Sequence, residues 1–419
     1  MKWLKRLILL CAVLVAALAV VPLFISIDDY RPRIERLLAD KLREPVTIQR
    51  MRLAGLPLPH VVVDGVKIGK ADIKVGRIAV TPDLLSILSS TKVIRSIDID
   101  GLVLNQRALD RIPLWTRPDP KAKPAAFTVQ VRAITLDDVL LQLQKATFGP
   151  FDARISLSAS GFPERADISA RDGKFRAKVI PSDGKYAIEA NAKGWRPPAG
   201  PPVLFDELQI KGVATTSDAH LPDIRAKLYG GTITGTSSVG WQKGLQVKGA
   251  YQVNGIELRD LVPLFSPQTK LSGRLTAKPV FSGSAPSAGQ LQNVLKLETP
   301  FDIRDGVLQG IDIQKAASSL LSKDSSGQTR FDTLSGHYAL DRGTQRITNL
   351  KVASGSLAAE GNVTIAPSKA LSGRINARVG SGKLASATVP LNVSGTVDSP
   401  MALPTGASVT GAALGTAVL

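Results

Sequence analysis

Cysteine is almost absent from this 419-residue chain, with Cys11 the only one. No disulfide can form within it, and thiolate chemistry has no place in the long body that follows residue 27. The three histidines, His60, His220 and His337, stand far apart with no HxH or HxxxH pair, so no zinc-type ligand set is indicated. Asp98 and Asp100 alternate on one predicted strand face, and Asp137-Asp138 falls at a predicted turn. No nucleophile or histidine accompanies them. Gly230-Gly231 lacks the lysine and the strand–helix setting of a phosphate loop. The chain therefore reads as a non-enzyme with no cofactor and no metal. Aromatic residues make up only 5%, which leaves few rings for stacking bases. With no dense Lys/Arg run either, nucleic acid is excluded as a partner despite a net charge of +18.

What is present begins at the N-terminus. Lys2, Lys5 and Arg6 precede an uncharged, mostly apolar run from Leu7 to Ile27. About 21 residues at helical rise reach roughly 31 Å, the thickness of a bilayer core. The basic flank favours a cytoplasmic N-terminus. The expectation is a single-pass anchor with the body on the far side of the membrane, which for a bacterial protein is the periplasm. A cleaved signal ending near Ala17-Leu18-Ala19 is the other reading, and the apolar run continues beyond that site through Val20 to Ile27. Cys11 follows Leu10 where a lipobox needs a small residue, so it reads as an apolar residue within the span.

Asp28 to Lys41 predicts a short amphipathic helix, capped by Asp28 or Asp29. Its apolar positions are Ile34, Leu37, Leu38 and Leu42, and Ile34, Leu38 and Leu42 are expected to pack on the first strands or the bilayer surface. From Val46 the period becomes two. Phe127, Val129, Val131 and Ala133 alternate with polar residues, as do Ile155 and Leu157, then Phe175, Ala177 and Val179. Leu245, Val247 and Tyr251, then Leu271, Leu275 and Ala277, then Val363 and Ile365, repeat the pattern. Such segments are strands with one apolar and one wet face. Asp-Gly and Gly-Gly pairs mark the turns between them: Asp64-Gly65, Asp172-Gly173, Asp183-Gly184, Gly230-Gly231 and Asp305-Gly306. Short helices are predicted only at Pro82–Ser89, Leu258–Phe265 and Ile311–Leu321. The basic, proline-rich stretch Arg117–Pro124 and the Pro/Gly-rich stretch Pro197–Pro202 are candidate boundaries. The expected organisation is an anchor over 1–27, a first β region over 28–120, a middle region over 121–225, a last β region over 226–405 and a small-residue apolar tail over 406–419. The tail reads as a frayed terminus or as a membrane-contacting or groove-lining segment. Leu271-Ser272-Gly273-Arg274-Leu275 returns as Leu371-Ser372-Gly373-Arg374-Ile375, which fits a sheet of repeated hairpins or a chance echo.

The order of several motifs resembles the AsmA-like family of bacterial envelope proteins. An anchor is followed by Asp29-Tyr30-Arg31-Pro32, Pro45-Val46-Thr47-Ile48, Pro57-Leu58-Pro59 and Gly65-Val66-Lys67-Ile68-Gly69. Pro82-Asp83-Leu84-Leu85-Ser86 and Ile97-Asp98-Ile99-Asp100-Gly101-Leu102 come next. Towards the C-terminus stand Leu228-Tyr229-Gly230-Gly231-Thr232-Ile233, Leu258-Arg259-Asp260-Leu261, Asp305-Gly306-Val307-Leu308-Gln309-Gly310-Ile311-Asp312 and Val393-Ser394-Gly395-Thr396-Val397-Asp398-Ser399-Pro400. Arg43-Glu44 departs from the family's Gly-Arg at this point, which removes a glycine helix end.

The family is similar to bridge-like lipid transfer proteins. The resemblance implies a mainly β fold in which an N-terminal transmembrane helix and a short amphipathic helix lead into a long, curved antiparallel β-sheet. Its concave face would be a hydrophobic groove for acyl chains, and it implies a role in phospholipid supply and outer-membrane integrity. The residue pattern itself leaves two ways of covering the apolar face: a lipid-filled groove or two packed sheets with a dry core. The second would suit a scaffold for outer-membrane protein assembly, with outer-membrane or periplasmic proteins as partners. Roughly twenty strands at about 4.8 Å would extend on the order of 100 Å. Groove candidates are Phe127, Val129, Val131, Ile155, Leu157, Leu245, Val247, Leu271, Leu275, Val363 and Ile365. Arg274, Lys278, Arg374 and Arg378 are candidates either for contact with anionic phospholipids of the inner membrane or for keeping a large sheet soluble.

Overall fold

The computed structural model describes residues 27–56, 58–70, 72–105, 107–108, 128–143, 146–182, 184–198, 201–215, 217–242, 244–286, 288–291, 293–318, 326–380 and 388–405. The proposed span up to residue 26, the candidate Phe127 and the tail 406–419 lie outside them. Among the described residues no helix is long and apolar enough to cross a membrane. The chain is mainly β, with 23 strands in a mixed sheet and few short helices. It divides into two compact units, one of Met1–Ile188 with Pro198–Gly200 and the other of Glu189–Pro197 with Pro201–Leu419.

The first unit opens with a 3-10 turn, Asp28–Tyr30, that runs into helix α1, Arg31–Leu42. The expected aspartate cap is not made: Tyr30 holds the N-cap position without a side-chain bond. Asp28 is instead occupied by the sheet, its Oδ1 accepting from the Met51 backbone N–H at 2.8 Å. Glu35 Oε1 accepts from Ile48 N–H at 2.7 Å, and Arg31 Nη1 donates to Gln49 C=O at 2.8 Å. Side chains of α1 thus satisfy backbone groups on the outer edge of β1 (Val46–Ala54), which would otherwise invite another strand. Ile34, Ala39 and Leu42 pack on Val46, Ile48, Met51 and Val66, whereas Leu37 is 62% exposed and Leu38, expected to pack, is 37% exposed and outside this cluster. Without glycine, the helix ends by forcing Arg43 itself into the left-handed region, φ +54°, with Glu44 N–H bonded to Ala39 C=O.

β1 pairs antiparallel with β2 (His60–Ile68), β2 with β3 (Ile73–Pro82), and β3 with β4 (Thr91–Asn105). The expected all-antiparallel order then fails. β5 (Thr128–Val131) and β6 (Ala133–Leu143) both run parallel to β4. The 106–127 connection has the dozen or more residues that a return to the same end of the sheet requires. Val129 to Ala133 is also not one uninterrupted strand, because Arg132 separates β5 from β6 and donates its N–H to Ile94 C=O. β7 (Ala146–Leu157), β8 (Pro163–Ala170) and β9 (Phe175–Ser182) continue antiparallel from β6.

β10 (Lys185–Trp195) follows in the chain, and in the second unit β11 (Phe205–Ala214), β12 (Asp218–Leu228), β13 (Gly231–Gly240) and β14 (Leu245–Glu257) form an antiparallel meander. β14 pairs with both β15 (Leu271–Ala277) and β16 (Val280–Ala285), and these two share β17 (Lys296–Gln309). β18 (Gln328–Asp341), β19 (Thr344–Ala353), β20 (Leu357–Ile365), β21 (Leu371–Val379), β22 (Val389–Thr396) and β23 (Ser399–Pro404) complete it. Helix α2 (Leu258–Leu261) with the 3-10 turn Val262–Leu264, α3 (Ala288–Leu291) and α4 (Ile313–Ser318) are its short helices. The echoed segments prove to be β15 and β21, each with its apolar residues, Leu275 and Ala277 or Ile375 and Ala377, turned to the same side.

Candidate functional site

Antiparallel or parallel register puts paired residues on one face of a sheet. In the first unit, Ile97, Ile134, Ile155, Ala166 and Val179 form one row across β4, β6, β7, β8 and β9. Ile99, Leu136, Ala153, Ile168 and Ala177 form the next. In the second unit a row crosses eight strands: Ile256, Leu275, Ile303, Leu334, Val352, Ala359, Ala377 and Val389. Another joins Leu208, Ala226, Ile233, Val253, Ala277, Phe301 and Gly336. Each unit therefore carries a continuous apolar face.

That face is covered unevenly. In the first unit, α1 closes the β1–β3 part. From β4 to β9, no described side chain on the face is fully buried. In the second unit, α4 sends Ile313, Ala316 and Ala317 against the sheet near β21, β22 and β23, and Leu391, Ala377 and Ala402 beneath are wholly buried.

Aromatic rings floor part of the second unit's face. Tyr251 and Phe281 stack 5.9 Å apart, with Tyr251 over Gly235 and Phe281 over Gly249. Phe331 and Phe301 lie over Gly306 and Gly336 in the same way. A ring lying flat over a cross-strand glycine fills the space a side chain would have taken. The polar atoms on this face are tied to each other: Ser237 Oγ and Tyr251 Oη are 2.7 Å apart, and Tyr338 Oη donates to Gln345 Oε1 at 3.0 Å. Burial pushes the Tyr338 phenol above its usual range, so it stays a neutral donor.

The groove candidates fall as follows. Ile155 and Leu275 sit in the rows above. Leu157 faces Pro163, Leu245 faces Ala285, and Val247 lies between Val239 and Gly283. Leu271 faces Leu308, Val363 lies between Ile347 and Gly373, and Ile365 lies between Gln345 and Leu371. Val131 is half-buried beside Ile94, but Val129 stands beside Lys92 and is 52% exposed. Alternation alone missed Ile97, Ile99, Leu102 and Leu104, because their phase changes at Gly101, which takes φ +68°. The glycines beneath the rings were missed as well. Part of their signal was present in Gly249, which takes an apolar-phase position between Val247 and Tyr251 of a predicted strand.

The opposite face is wet and charged. Arg274, Lys278, Arg374 and Arg378 are exposed on it. Lys227 and Glu207 pair at 2.8 Å across β11 and β12, which lowers the Glu207 carboxyl and raises the Lys227 amine. Arg304–Asp302 and Arg165–Asp167 pair along their own strands at 2.9 and 2.6 Å. Among the described residues no group of three or more His, Cys, Asp or Glu side chains is placed to hold a metal. No curated protein and no solved structure matches the chain. Residues 199–350, which take in β11 through most of β19, match the family model described as the AsmA family, and this match supports an AsmA-like assignment.

Proposed function

We propose that this protein is a non-enzymatic, membrane-anchored lipid-transfer protein of the bacterial envelope, whose sheet face holds phospholipid acyl chains. The observation that carries this reading is the row structure: apolar side chains run in register from strand to strand, and from β4 to β9 they are only partly buried among the described residues. An exposed apolar surface of that extent is unfavourable in water. An acyl chain laid along it gains about 0.8 kcal/mol per methylene buried, without directional bonds that would hold it in one place. Such binding suits passage along a face better than capture at one point. The AsmA-like assignment is compatible with this role. In this reading the segment Leu7–Ile27 anchors the chain in the inner membrane with its body in the periplasm, and phospholipid supply supports the outer membrane. The exposed cations Arg274, Lys278, Arg374 and Arg378 attract anionic headgroups.

The test is a detergent-extracted full chain analysed for bound lipid by mass spectrometry, together with photocrosslinkers placed at Ile155 and Leu275 and at their outward neighbours Arg154 and Arg274. Phospholipid should co-purify, and lipid adducts should form at the first pair only. A lipid-free preparation with protein adducts at Ile155 would replace this reading with a scaffold that covers its sheet with a partner.

A further inference from the structure

We propose that one end of the first unit's sheet is itself seated in the bilayer interface, through apolar side chains on successive turns. The topology brings these turns together. β1 and β2 are joined at 55–59, β3 and β4 at 83–90, and β7 and β8 at 158–162. Because β6 runs parallel to β4 and its neighbours alternate, all three connections lie at the same end of the strands. Leu56, Leu58, Leu84, Leu85 and Phe162 occupy them, and all are exposed, Leu85 at 92% and Phe162 at 70%. The opposite end contrasts with it. Its turns, at 69–72 and 171–174, carry Lys70, Asp72, Arg171, Asp172 and Lys174, and no large hydrophobic residue there is exposed among the described residues.

Leucine and phenylalanine at the tips of turns add nothing to folding when they stand in water, and a cluster of them on one rim marks a binding surface. The chain outside the described residues identifies the occupant. Helix α1 runs from Asp28, bonded to Met51, past Glu35, bonded to Ile48, and therefore points its N-terminus toward the same rim. Tyr30, 60% exposed, stands at that start, and the apolar run Leu7–Ile27 leads directly into it. A span leaving the bilayer at Ile27 would place this rim at the headgroup level, where Leu and Phe bury their side chains and Arg33 remains among the lipid phosphates. Asp83 caps the 3-10 turn Leu84–Leu88, its Oδ1 accepting from Leu85 N–H, and Leu84 and Leu85 stand exposed on it. This seating does not depend on whether the sheet face carries lipid.

The experiment uses the full chain with Cys11→Ser, reconstituted in vesicles of phosphatidylethanolamine and phosphatidylglycerol. Single cysteines replace Leu85 or Phe162 at the rim, or Lys70 or Lys174 at the opposite end, and carry an environment-sensitive fluorophore. All four sites are exposed, so the substitutions remove no packing. The rim labels should shift to the blue and be quenched by brominated lipid, while the other two should do neither. Rim labels that remain water-like, labels that are shielded but not quenched by lipid, or a chain that does not join the vesicles would each overturn the proposal. Lipid co-purification is a separate measurement, so failure here leaves the acyl-chain reading standing, and the reverse.

Discussion

The two units build the same kind of apolar face and finish it differently. In the first, α1 covers β1 to β3, and the rows on β4 to β9 stay only partly buried. In the second, α4 lies across β21 to β23, and Leu391, Ala377 and Ala402 below it are lost to solvent entirely. Both rows read alike in sequence, as alternating aliphatic residues. The difference lies in what is placed over them, so period-two patterning sets the face and a few helical turns decide whether it becomes core. The exposed hydrophobics differ as well. In the first unit Leu56, Leu58, Leu84, Leu85 and Phe162 gather on the turns of one rim, with Leu37, Leu38, Val129 and Ile180 elsewhere, whereas Val213, Trp241, Phe265, Val280 and Met401 are scattered over the second.

Core deletion gives the sharpest contrast. Leu391→Ala should cost about 2–5 kcal/mol, because it removes a wholly buried side chain and leaves a cavity. Ile155→Ala, on the partly buried face, should cost about 1 kcal/mol. Urea unfolding followed by amide exchange in each unit separates the two, and equal losses would mean that something covers the β4–β9 face after all. Next in size is Gly249→Ala. A Cβ there would stand 2.5 Å from the Phe281 ring, and pushing the ring off its glycine and away from Tyr251 should cost about 1–3 kcal/mol. Gly355→Ala is the control, since nothing lies within 4 Å of the added carbon. Similar thermal midpoints for both variants would remove the ring-over-glycine floor from the account of the second unit.

The edge of β1 tests the first unit's own covering. Glu35→Ala should lose about 1 kcal/mol with the Ile48 bond and expose a pairing edge, seen as concentration-dependent self-association in light scattering. A variant that stays monomeric would show that Asp28 and Arg31 close the edge without it. Arg43→Gly should stabilise α1 by about 0.5–1 kcal/mol, since glycine adopts φ +54° without strain. A lower melting temperature would mean that the arginine side chain holds the helix end in some other way.

Much of this was legible in the sequence, and the exceptions have physical causes. Asp64-Gly65, Asp305-Gly306 and Asp137-Asp138, expected at turns, lie inside β2, β17 and β6, but the strand pattern and the short helices α1, α2 and α4 follow from local chemistry. Parallel β4–β6 pairing does not, because a strand's residues carry no mark of their partner's direction. Nor does the continuity of the face past Gly101. There the apolar phase shifts by one residue, and Gly65 on β2 and Asp138 on β6 also take positive φ, at the same level of the sheet. The shifts lie side by side and keep the apolar rows on one face, a coordination visible only once register is known. For the site, the sequence indicated which residue types would line a face but not which would be covered. Val129 and Ile155 alternate equally well, and only pairing with Lys92 or with Ile134 separates them.

The smallest effect comes from the charged row that accompanies this shift. Asp64, Arg77, Asp100 and Asp137 are in register across β2, β3, β4 and β6. Arg77 Nε is 3.4 Å from Asp64, but the last two places are both acidic. Desolvation first, then Asp152, Asp100 and Asp98, hold the Asp137 carboxyl above its ordinary value of 3.8. Because the folded state binds that proton more tightly than the unfolded chain, the group adds nothing adverse below pH 3.8. Its penalty grows as pH rises through the raised value and is complete above it. Asp137→Asn removes the penalty, so the variant should melt slightly above the wild type at neutral pH and level with it below pH 3.8. The second unit's Arg304–Asp302 and Lys227–Glu207 pairs place opposite charges together, and Asp302→Asn should shift the midpoint the other way or not at all. If Asp137→Asn were the less stable protein at neutral pH, the carboxylate would be doing something favourable that repulsion hides. The acidic end of the row would then have to be read as holding a cation or a basic partner rather than as the cost of shifting the strand phase.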